Sequence, residues 1–399
     1  MSHSPVLRLK KNEDQRLRAG HLWIFSNEVD IAATPLKAFE PGDRVEIENA
    51  KGESLGLAYV NPASLISARI LTRNPRAVID RAFLVERLRQ ALALRERLFP
   101  EPFYRLVYGE SDGLPGVVVD RFGAVFAVQT STAGAERLLD PLLTALDEVF
   151  APEAVVLRNT SALRSLEGLE TYTRLALGTL PDAVMLSENG CRFRVDLMEG
   201  QKTGWFYDHR DNRARLAGWA KNKRVLDLFA YSGAWGIQAA SAGARQVDLV
   251  DASEPALNLA RENAALNGVC DQISTVAQDV FDFLKQAREE RQRYDIVVVD
   301  PPAFIKRRKD VTQGIEAYRR LNQAALQVLN PGGVLVSASC SFHLERATLH
   351  DVLRGSARHL DRHLVFVAQG GLAPDHPIHP AIPETDYLKA FFAHVERSL

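Results

Sequence analysis

A hydrophobic strand that runs directly into a small-residue turn and then an apolar helix is the feature that most constrains this fold. Residues 225–240 read VLDLFAYSGAWGIQAA, with Ser232, Gly233 and Gly236 in or just after the turn. In doubly wound α/β sheets such a turn lets the backbone approach a ligand closely. The next apolar strand ends at Asp251, about where a carboxylate can bind two ribose hydroxyls. Together these residues predict the cofactor-binding half of a doubly wound sheet.

A proline-rich turn closes the fourth strand of the same series. Residues 297–304 read VVVDPPAF. Prolines remove backbone donors and fix φ, so the turn carries a rigid row of carbonyls and the Asp300 carboxylate. Phe304 then offers a flat face for a base, and such stacking is worth roughly 1–3 kcal/mol. An ordinary strand exit with Phe304 in the core is the competing interpretation.

These segments, in this order, resemble class I S-adenosylmethionine (SAM) dependent methyltransferases. DPPAF is similar to the (Asp, Asn or Ser)-Pro-Pro-x-(Tyr or Phe) loop of enzymes that methylate nucleobases. Nicotinamide enzymes share the acidic residue after the second strand, but they do not require this turn. The resemblance implies that SAM is the cofactor. It also implies that the substrate is bound by Pro301, Pro302, Phe304 and Lys306.

Composition sets broad limits on the function. The 399 residues carry 49 Lys and Arg against 50 Asp and Glu, a net charge of -1. No apolar run reaches membrane-spanning length and the N-terminus lacks a signal-peptide core, so we expect a cytoplasmic protein without a membrane partner. The three cysteines have no zinc spacing, which predicts buried thiols, a reducing compartment and no metal. A basic run, KRRK at residues 306–309, could neutralise phosphates or simply be a solvated face.

Three regions can be separated along the chain. Residues 1–73 alternate short strands with turn signals, which predicts a small β barrel. Within it AGHLWIFSNEV, at residues 19–29, and PGD, at residues 41–43, resemble the PUA domain, an RNA-binding module. A generic barrel with Trp23 and Phe25 in its core is the alternative. Residues 74–189 predict a central α+β domain and residues 190–399 a Rossmann-like α/β catalytic domain.

Predicted elements follow the hydrophobic patterns. In the central domain we expect helices at residues 79–99 and 135–149, and VVVDRFGAVFAVQ as half of a hairpin. In the catalytic domain we expect strands at residues 192–197, 224–229, 246–250, 273–277, 295–299, 333–339, 364–368 and 388–394, and helices at 255–266 and 315–328. Strands that alternate with helices imply a parallel sheet, and the last two strands predict an antiparallel edge hairpin.

Cys340 is the best candidate for a nucleophile. It ends the strand that follows the DPPAF strand, and ligands in open α/β sheets bind outside the carboxyl ends of strands. Two neighbouring strand ends would therefore direct Asp300 and Cys340 toward one crevice. Methylation at carbon 5 of a pyrimidine needs this pair, because a thiolate must add to carbon 6 before carbon 5 becomes nucleophilic. A small buried residue is the alternative for Cys340.

The segment EGQKTGWFYDHRDNR, at residues 199–213, narrows the resemblance. It is similar to the QKTGFFLDQR phrase of the PUA-containing 23S ribosomal RNA cytosine-5 methyltransferases of the large subunit, which the chain resembles over nearly its whole length. By that resemblance the SAM-binding residues are Phe206, Asp208, Arg210, Asp227, Tyr231, Gly233, Asp251, Ser253 and Asp279. Capping and surface pairing are the alternatives for Asp208 and Arg210, and capping is the alternative for Asp279. Burial with structural bonds is the alternative for Asp227.

The family resemblance also implies the partner and leaves some questions open. The expected partner is large-subunit ribosomal RNA, and a homodimer is left open. Most RNA cytosine-5 methyltransferases have a second cysteine in the DPPAF loop, which this chain lacks; the base that removes the carbon 5 proton is therefore unassigned among Asp300, His343 and water. The alternative functions are methylation of an exocyclic amine or ring nitrogen, and RNA binding in ribosome assembly without catalysis.

Overall fold

The computed structural model describes residues 5–398 as two compact units. The first contains residues 5–184, 195–205 and 374–385, and the second contains residues 185–194, 206–373 and 386–398. Residues 1–4 and residue 399 lie outside the described part. The prediction that the N-terminus lacks a signal peptide falls partly on those first four residues. The predicted boundaries after residues 73 and 189 stay predictions. No helix of residues 5–398 is long and apolar enough to cross a bilayer.

The N-terminal part of the first unit is a five-stranded sheet that curls on itself. Its strands are β1 (Val6–Arg8), β2 (Trp23–Phe25), β3 (Asp43–Glu48), β4 (Ser54–Val60) and β5 (Ile66–Thr72). They lie in the order β1-β3-β4-β5-β2, and a bridge between Leu9 and Val29 joins the two ends. The predicted small barrel is confirmed. In β2 the fully buried residue is Ile24, whereas Trp23 and Phe25 are half-buried on the other face.

The rest of the first unit is an α+β layer. Its strands are β6 (Phe103–Tyr108), β7 (Val117–Phe122), β8 (Val125–Thr130), β9 (Ala154–Asn159) and β10 (Tyr172–Gly178), in the order β10-β9-β8-β7-β6. The helices of this unit are α1 (Gln15–Arg18), α2 (Arg81–Leu98), α3 (Ala133–Arg137), α4 (Leu139–Phe150) and α5 (Leu163–Leu166). Apolar side chains of α2 and α4 form one core with β6 to β9.

Two sequence predictions for this layer were wrong in detail. VVVDRFGAVFAVQ is a whole hairpin, β7 and β8, because Gly123 adopts a left-handed φ of 66° and lets the chain reverse within two residues. The helix expected at residues 135–149 is two helices, α3 and α4, which meet at Leu138. Thr132 starts α3 early because its side chain accepts a hydrogen bond from Ala135 N.

The second unit is built on a mixed seven-stranded sheet. Its strands are β13 (Arg224–Leu228), β14 (Gln246–Asp251), β15 (Ile273–Ala277), β16 (Tyr294–Val299), β17 (Leu329–Ser339), β18 (Arg362–Gly370) and β19 (Lys389–Arg397); a separate two-stranded ribbon holds β11 (Val184–Glu188) and β12 (Cys191–Val195). The order is β15-β14-β13-β16-β17-β19-β18, with parallel pairing from β15 to β17. The predicted doubly wound α/β sheet is confirmed.

The helices of the second unit are α6 (Arg210–Ala217), α7 (Ala234–Ser241), α8 (Glu254–Leu266), α9 (Val280–Glu289), α10 (Val311–Val328) and α11 (Arg346–His359). Of these, α7 to α10 connect the parallel strands of the sheet. β19 pairs antiparallel with both β17 and β18, so the predicted antiparallel edge hairpin is confirmed. β17 and α10 begin earlier than predicted, at Leu329 and Val311. The carboxyl ends of β14, β13, β16 and β17 lie side by side, which places the residues after them along one edge of the sheet.

Gly236 lets α7 pack directly on β14. A Cβ atom at this position would lie 2.2 Å from Leu249 Cδ2 and 2.9 Å from Val247 Cγ1. Both neighbours are fully buried, so neither can move away without disturbing the core. The glycine in the second half of the motif is therefore explained by close helix–strand packing.

We predict that Gly236→Ala destabilises the protein although alanine favours helices. Overpacking of a dense core typically costs about 1–3 kcal/mol of unfolding free energy. Gly355→Ala is the matched control, because Gly355 is an exposed glycine in α11 with no atom within 4 Å of the added Cβ. The control should gain roughly 0.5–1 kcal/mol. Denaturant unfolding of both variants measures this, and equal effects in the two would contradict the packing argument.

Candidate active site

The turn after β13 has an unusual backbone. Phe229, Tyr231 and Gly233 have left-handed φ angles of 61°, 47° and 81°. Such a conformation is costly for the two residues with a Cβ, and it persists only where surrounding contacts hold it. One of those contacts is the hydrogen bond that Tyr231 N donates to Asp251 Oδ2, at 2.9 Å. The turn is thus fixed by the end of the neighbouring strand.

Asp251 and Ser253 connect this turn to the start of α8. The other carboxylate oxygen of Asp251 accepts a hydrogen bond from Ser253 N at 2.9 Å, and Ser253 Oγ caps α8 by accepting from Ala256 N. Each carboxylate oxygen has a second lone pair, so Asp251 can still accept from ribose hydroxyls. The ribose role predicted for Asp251 is compatible with these bonds.

Asp227 lies beneath the turn and is fully buried. Its Oδ2 accepts a hydrogen bond from Gly236 N at 3.0 Å. Asp227 Oδ1 and the hydroxyl of Ser232 are buried polar atoms without a hydrogen-bond partner among residues 5–398. Burial first, and then the charges of Asp300 and Asp251, raise the pKa of Asp227 to about 8 against the Gly236 hydrogen bond. Two orphaned polar atoms at one turn indicate a site that a polar ligand completes.

Asp279 caps the next helix. Its Oδ1 accepts hydrogen bonds from Phe281 N at 2.8 Å and Asp282 N at 3.3 Å, at the start of α9. The capping alternative is therefore present in the structure. The adenine contact stays a prediction.

Phe206 and Asp208, two of the predicted SAM-binding residues, are each held by contacts with other parts of the second unit. The Phe206 ring packs edge-on against Tyr231, with centroids 5.7 Å apart. Asp208 Oδ2 accepts a hydrogen bond from Tyr387 Oη at 2.6 Å, and the Asp208 carbonyl accepts one from Ala373 N. Phe206 and Tyr231 are thus in contact at the turn, and their role in SAM binding stays a prediction.

Arg210 has a protein carboxylate beside it. Its Nε lies 3.5 Å from Glu188 Oε2, and Glu188 also forms a two-bond ion pair with Arg213. Surface pairing was the alternative interpretation, but both arginines are buried. A role for Arg210 toward the methionine carboxylate stays a prediction.

Asp300 is held by two side chains whose part in the site the sequence analysis missed. His209 Nε2 lies 3.3 Å from Asp300 Oδ1, and Trp235 Nε1 donates a hydrogen bond to Asp300 Oδ2 at 3.1 Å. The two rings also pack against each other, 5.2 Å apart. Burial alone would raise the pKa of Asp300, but His209 and the Trp235 hydrogen bond outweigh it and lower the pKa. Asp300 is therefore an ionised carboxylate at neutral pH, with 22% of its side chain exposed.

Hydrogen bonds beneath Cys340 join the SASCS strand end to the DPPAF loop. Ser339 Oγ donates to Tyr318 Oη at 2.7 Å, and Tyr318 Oη lies 3.0 Å from Ser341 Oγ. Ser341 Oγ in turn accepts a hydrogen bond from Ile305 N at 3.2 Å. Both serines are fully buried, whereas Cys340 between them is partly exposed. The buried alternative for Cys340 does not describe this arrangement.

The remaining residues of the DPPAF loop differ in exposure. Pro301 is buried and Pro302 is exposed. Phe304 is half-buried, packs on the core of the sheet and has its ring 4.9 Å from that of Tyr318. Lys306 and the rest of the basic run are exposed. Phe304 thus shows part of the core role that was its alternative, and base stacking stays a prediction.

The other cysteines lie outside this cluster. Cys191 is buried in β12, as expected, but Cys270 is exposed, so the prediction of a buried thiol was wrong for Cys270. Cys270 begins a short turn after α8, and no residue of this turn is buried. Among residues 5–398, no three His, Cys, Asp or Glu side chains gather as metal ligands would.

Two family models match parts of this chain. The family model described as S-adenosylmethionine-dependent methyltransferase matches residues 173–389, more than half of the chain, and the PUA-like domain model matches residues 7–73. The chain belongs to the S-adenosylmethionine-dependent methyltransferase family. Its PUA-like domain is the barrel of β1 to β5.

Relatives of this methyltransferase align with nearly its whole length. Ribosomal RNA large subunit methyltransferase I of Cronobacter sakazakii is 37% identical over 394 residues, which are 98% of this chain and 99% of the relative. The protein of the same name from Shewanella denitrificans is 38% identical over 395 residues, with the same coverage. The recognition of a PUA-containing methyltransferase family is confirmed.

Solved structures share the fold. A SAM-dependent methyltransferase from Streptococcus mutans has a TM-score of 0.82 and 20% identity, and covers 98% of this chain and 100% of its own. A methyltransferase complexed with SAH has a TM-score of 0.83, with the same identity and coverage. At this identity the likeness concerns the fold alone.

The residues present fit SAM as the cofactor of this methyltransferase. The orphaned Asp227 Oδ1 suits a ligand amino group, and Asp251 has free lone pairs beside the left-handed turn. Phe206 and Tyr231 supply apolar surface at the same turn. The observation that supports the fit is that Asp227 Oδ1 and Ser232 Oγ are buried without a hydrogen-bond partner among residues 5–398.

We predict that Asp227→Asn stabilises the ligand-free protein and weakens SAM binding. A carboxyl whose pKa rises from 3.8 to about 8 on folding supplies stability at low pH that is lost as pH rises through the folded value. Asn keeps the acceptor for Gly236 N but cannot ionise, so it avoids this loss. The stability of the variant relative to wild type should therefore grow between about pH 5 and about pH 8.

Denaturant unfolding at the two pH values measures the first effect, and calorimetric titration with SAM measures the second. Loss of a charged hydrogen bond, worth about 1.5–3 kcal/mol, should weaken SAM binding at least about tenfold. A stability difference that does not change with pH would contradict the pKa assignment. Unchanged SAM affinity would remove Asp227 from the cofactor site.

Proposed function

We propose that this methyltransferase transfers a methyl group to carbon 5 of a cytosine in 23S ribosomal RNA through a covalent adduct with Cys340. The supporting observation is that Asp300 and Cys340 follow neighbouring parallel strands, β16 and β17, whose loops are joined by the Ser341 and Ile305 hydrogen bond. Relatives named for the large-subunit ribosomal RNA match the whole chain at 37% identity. The substrate is inferred from their names and the chemistry from this geometry.

Cys340 carries the covalent chemistry of the proposal. Carbon 5 of cytosine is a weak nucleophile, so Cys340 Sγ, as a thiolate, first forms a bond to carbon 6. The electron pair released into the ring makes carbon 5 nucleophilic. Carbon 5 then forms a bond to the methyl group as the bond between that group and the donor sulfur breaks and leaves its electron pair on the sulfur. The carbon 5 proton then leaves to a base, the bond between Sγ and carbon 6 breaks, and the electron pair returns to Sγ. The cysteine is regenerated as a thiolate.

Alignment of the cytosine supplies much of the remaining catalysis. When bound, SAM supplies a methyl group on a positively charged sulfur. Such a transfer needs the two reacting atoms in line and close together, which is what a rigid loop provides. The DPPAF loop is fixed by two prolines and by the Ile305 hydrogen bond to Ser341.

Asp300 has a narrower role than a general hydrogen-bonding group. Because its pKa is lowered, it is ionised and can only accept hydrogen bonds. In the proposed complex it accepts one from the exocyclic amino group of cytosine and so selects cytosine over uracil, whose oxygen at that position cannot donate. His209 and Trp235 keep Asp300 in this state.

Cys340→Ser is the direct test of the thiolate mechanism. Ribosomal RNA from cells that lack the protein is incubated with SAM and purified enzyme, and the nucleosides are analysed by mass spectrometry. Wild type should produce 5-methylcytidine, and Cys340→Ser should lose at least about a thousandfold in rate, as covalent catalysts do without their nucleophile. Cys270→Ser, at an exposed cysteine outside the site, is the control and should retain full activity.

Other outcomes of this experiment favour the alternative functions. A methylated exocyclic amine or ring nitrogen, formed equally by the serine variant, would assign nitrogen methylation, because that chemistry does not require a thiolate. No methylation by wild type, with RNA binding intact, would indicate an assembly factor without catalysis. Either result contradicts cytosine-5 methylation.

We also propose that the exposed basic run at residues 306–309 binds RNA phosphates beside the base pocket. Lys306, Arg307, Arg308 and Lys309 directly follow the DPPAF loop, and the only partner of Arg307 among the described residues is Asp310, at 3.5 Å. Replacing the four by Glu should weaken RNA binding and flatten the logarithmic salt dependence by about 0.7–0.9 for each phosphate that is no longer neutralised. Arg354→Glu with Arg358→Glu, on exposed positions of α11, is the control. An unchanged slope in the four-residue variant would show that the run is a solvated face.

A further inference from the structure

Lys389 is a buried lysine directly beside the Cys340 strand end. It is the first residue of β19 and pairs with Ser339 across the sheet, one residue before Cys340. Only 6% of its surface is exposed. Its Nζ donates hydrogen bonds to the carbonyls of Ser341 and Tyr387, each at 2.9 Å. Lys389 thus pairs with the residue before Cys340 and hydrogen-bonds to the carbonyl of the residue after it.

Lys389 forms no direct ion pair with a carboxylate among residues 5–398, although the charge of Asp386 is near enough to raise its pKa. Both of its hydrogen-bond acceptors are neutral carbonyls. Burying an ammonium group without a counter-ion is costly, so such residues usually have a functional reason. Burial lowers the pKa of Lys389 to about 8, which leaves it charged at neutral pH.

Charged neighbours shift the pKa of Lys389, and among them Asp386 has the largest effect and Cys340 the smallest. Asp386 raises the pKa of Lys389 and Arg346 lowers it, while a negative charge on Cys340 raises it. Cys340 also acts on Tyr318, from α10 on the other side: burial first and then the Cys340 charge raise the pKa of that tyrosine. Among these charged residues, Lys389 is the cation that donates a hydrogen bond to the carbonyl of Ser341, the residue after Cys340.

We propose that Lys389 is the positioning residue that stabilises Cys340 as a thiolate, by supplying its counter-charge and by holding the Ser341 carbonyl that fixes the cysteine turn. This inference rests on the proposed role of Cys340 in catalysis. In the step concerned the bond between Sγ and hydrogen breaks, the proton passes to water, and the electron pair stays on Sγ. Lys389 keeps its three protons throughout.

Alkylation of Cys340 measures its thiolate directly, without RNA or methyl transfer. Full-length protein is treated with iodoacetamide over a range of pH, and peptide mass spectrometry follows each cysteine separately. The exposed Cys270 is an internal reference for reagent reactivity, and the buried Cys191 reacts only if the protein unfolds. Wild type is compared with Lys389→Met and with Lys389→Arg, which keeps the charge.

We expect Cys340 of wild type to titrate below the ordinary cysteine pKa of about 8.5. In Lys389→Met the titration should move up by about one unit, which lowers the Cys340 alkylation rate near pH 7 about tenfold. Cys270 should be unchanged, Cys191 should stay protected, and Lys389→Arg should restore most of the rate.

Two results would overturn the proposal. One is a wild-type Cys340 that titrates at or above about 8.5, which decides the matter even if Lys389→Met exposes Cys191 and has therefore unfolded. The other is a folded Lys389→Met variant with an unchanged Cys340 profile. Because methyl transfer plays no part in this assay, an active Cys340→Ser enzyme would refute the proposed chemistry while leaving the effect of Lys389 on the thiol measurable.

Discussion

The hydrogen bonds among Ser339, Tyr318, Ser341 and Ile305 are the constraint on which the site depends. These bonds join the loop after β16 to the turn after β17. The sheet alone would hold each of the two only where it leaves its strand. Because all four groups are buried, these bonds cannot be exchanged for water without cost. They fix the DPPAF loop relative to the turn that carries Cys340. Without them Asp300 and Cys340 would share an edge of the sheet but not a defined separation.

Buried charge is distributed unevenly around this edge. Asp227 has no neighbour that fully compensates for its burial, so burial raises its pKa to about 8. Asp300 is also largely enclosed, but His209 and Trp235 donate to it and its pKa is lowered. Two carboxylates in one site are thus set to opposite states by their partners, which is a recurrent way to divide roles at active sites. We propose that Asp227 binds the amino group of SAM and that Asp300, already charged, meets the cytosine.

The elements of the site could be predicted from the sequence because their signals are local. The turn with Gly233, the acid after β14 and the DPPAF loop each follow a strand within a few residues, and the order of parallel strands then brings them to one edge. The partners could not be predicted in this way. His209 reaches Asp300 across 91 positions and Trp235 across 65, and Lys389 lies 49 positions after Cys340.

Those long-range partners left weak traces in the sequence. His209 lies in the polar and aromatic segment at residues 199–213, but nothing in that segment marks Asp300 as its partner. Lys389 is a charged residue at the start of an otherwise apolar run, and the first five residues of its strand are all buried. Hairpin and helix details were missed for a different reason, since single residues such as Gly123 and Thr132 decide where short elements begin and end.

The most direct test of the account is to trap the adduct between Cys340 and its base. A ribosomal RNA substrate in which cytidine is replaced by 5-fluorocytidine can accept the methyl group but has no proton at carbon 5 to lose, so the bond from Sγ to carbon 6 cannot break. The account predicts an RNA-linked protein that survives denaturation, with the nucleotide on the peptide that contains Cys340. Complete turnover without a trapped species, or an adduct on another residue, would contradict it.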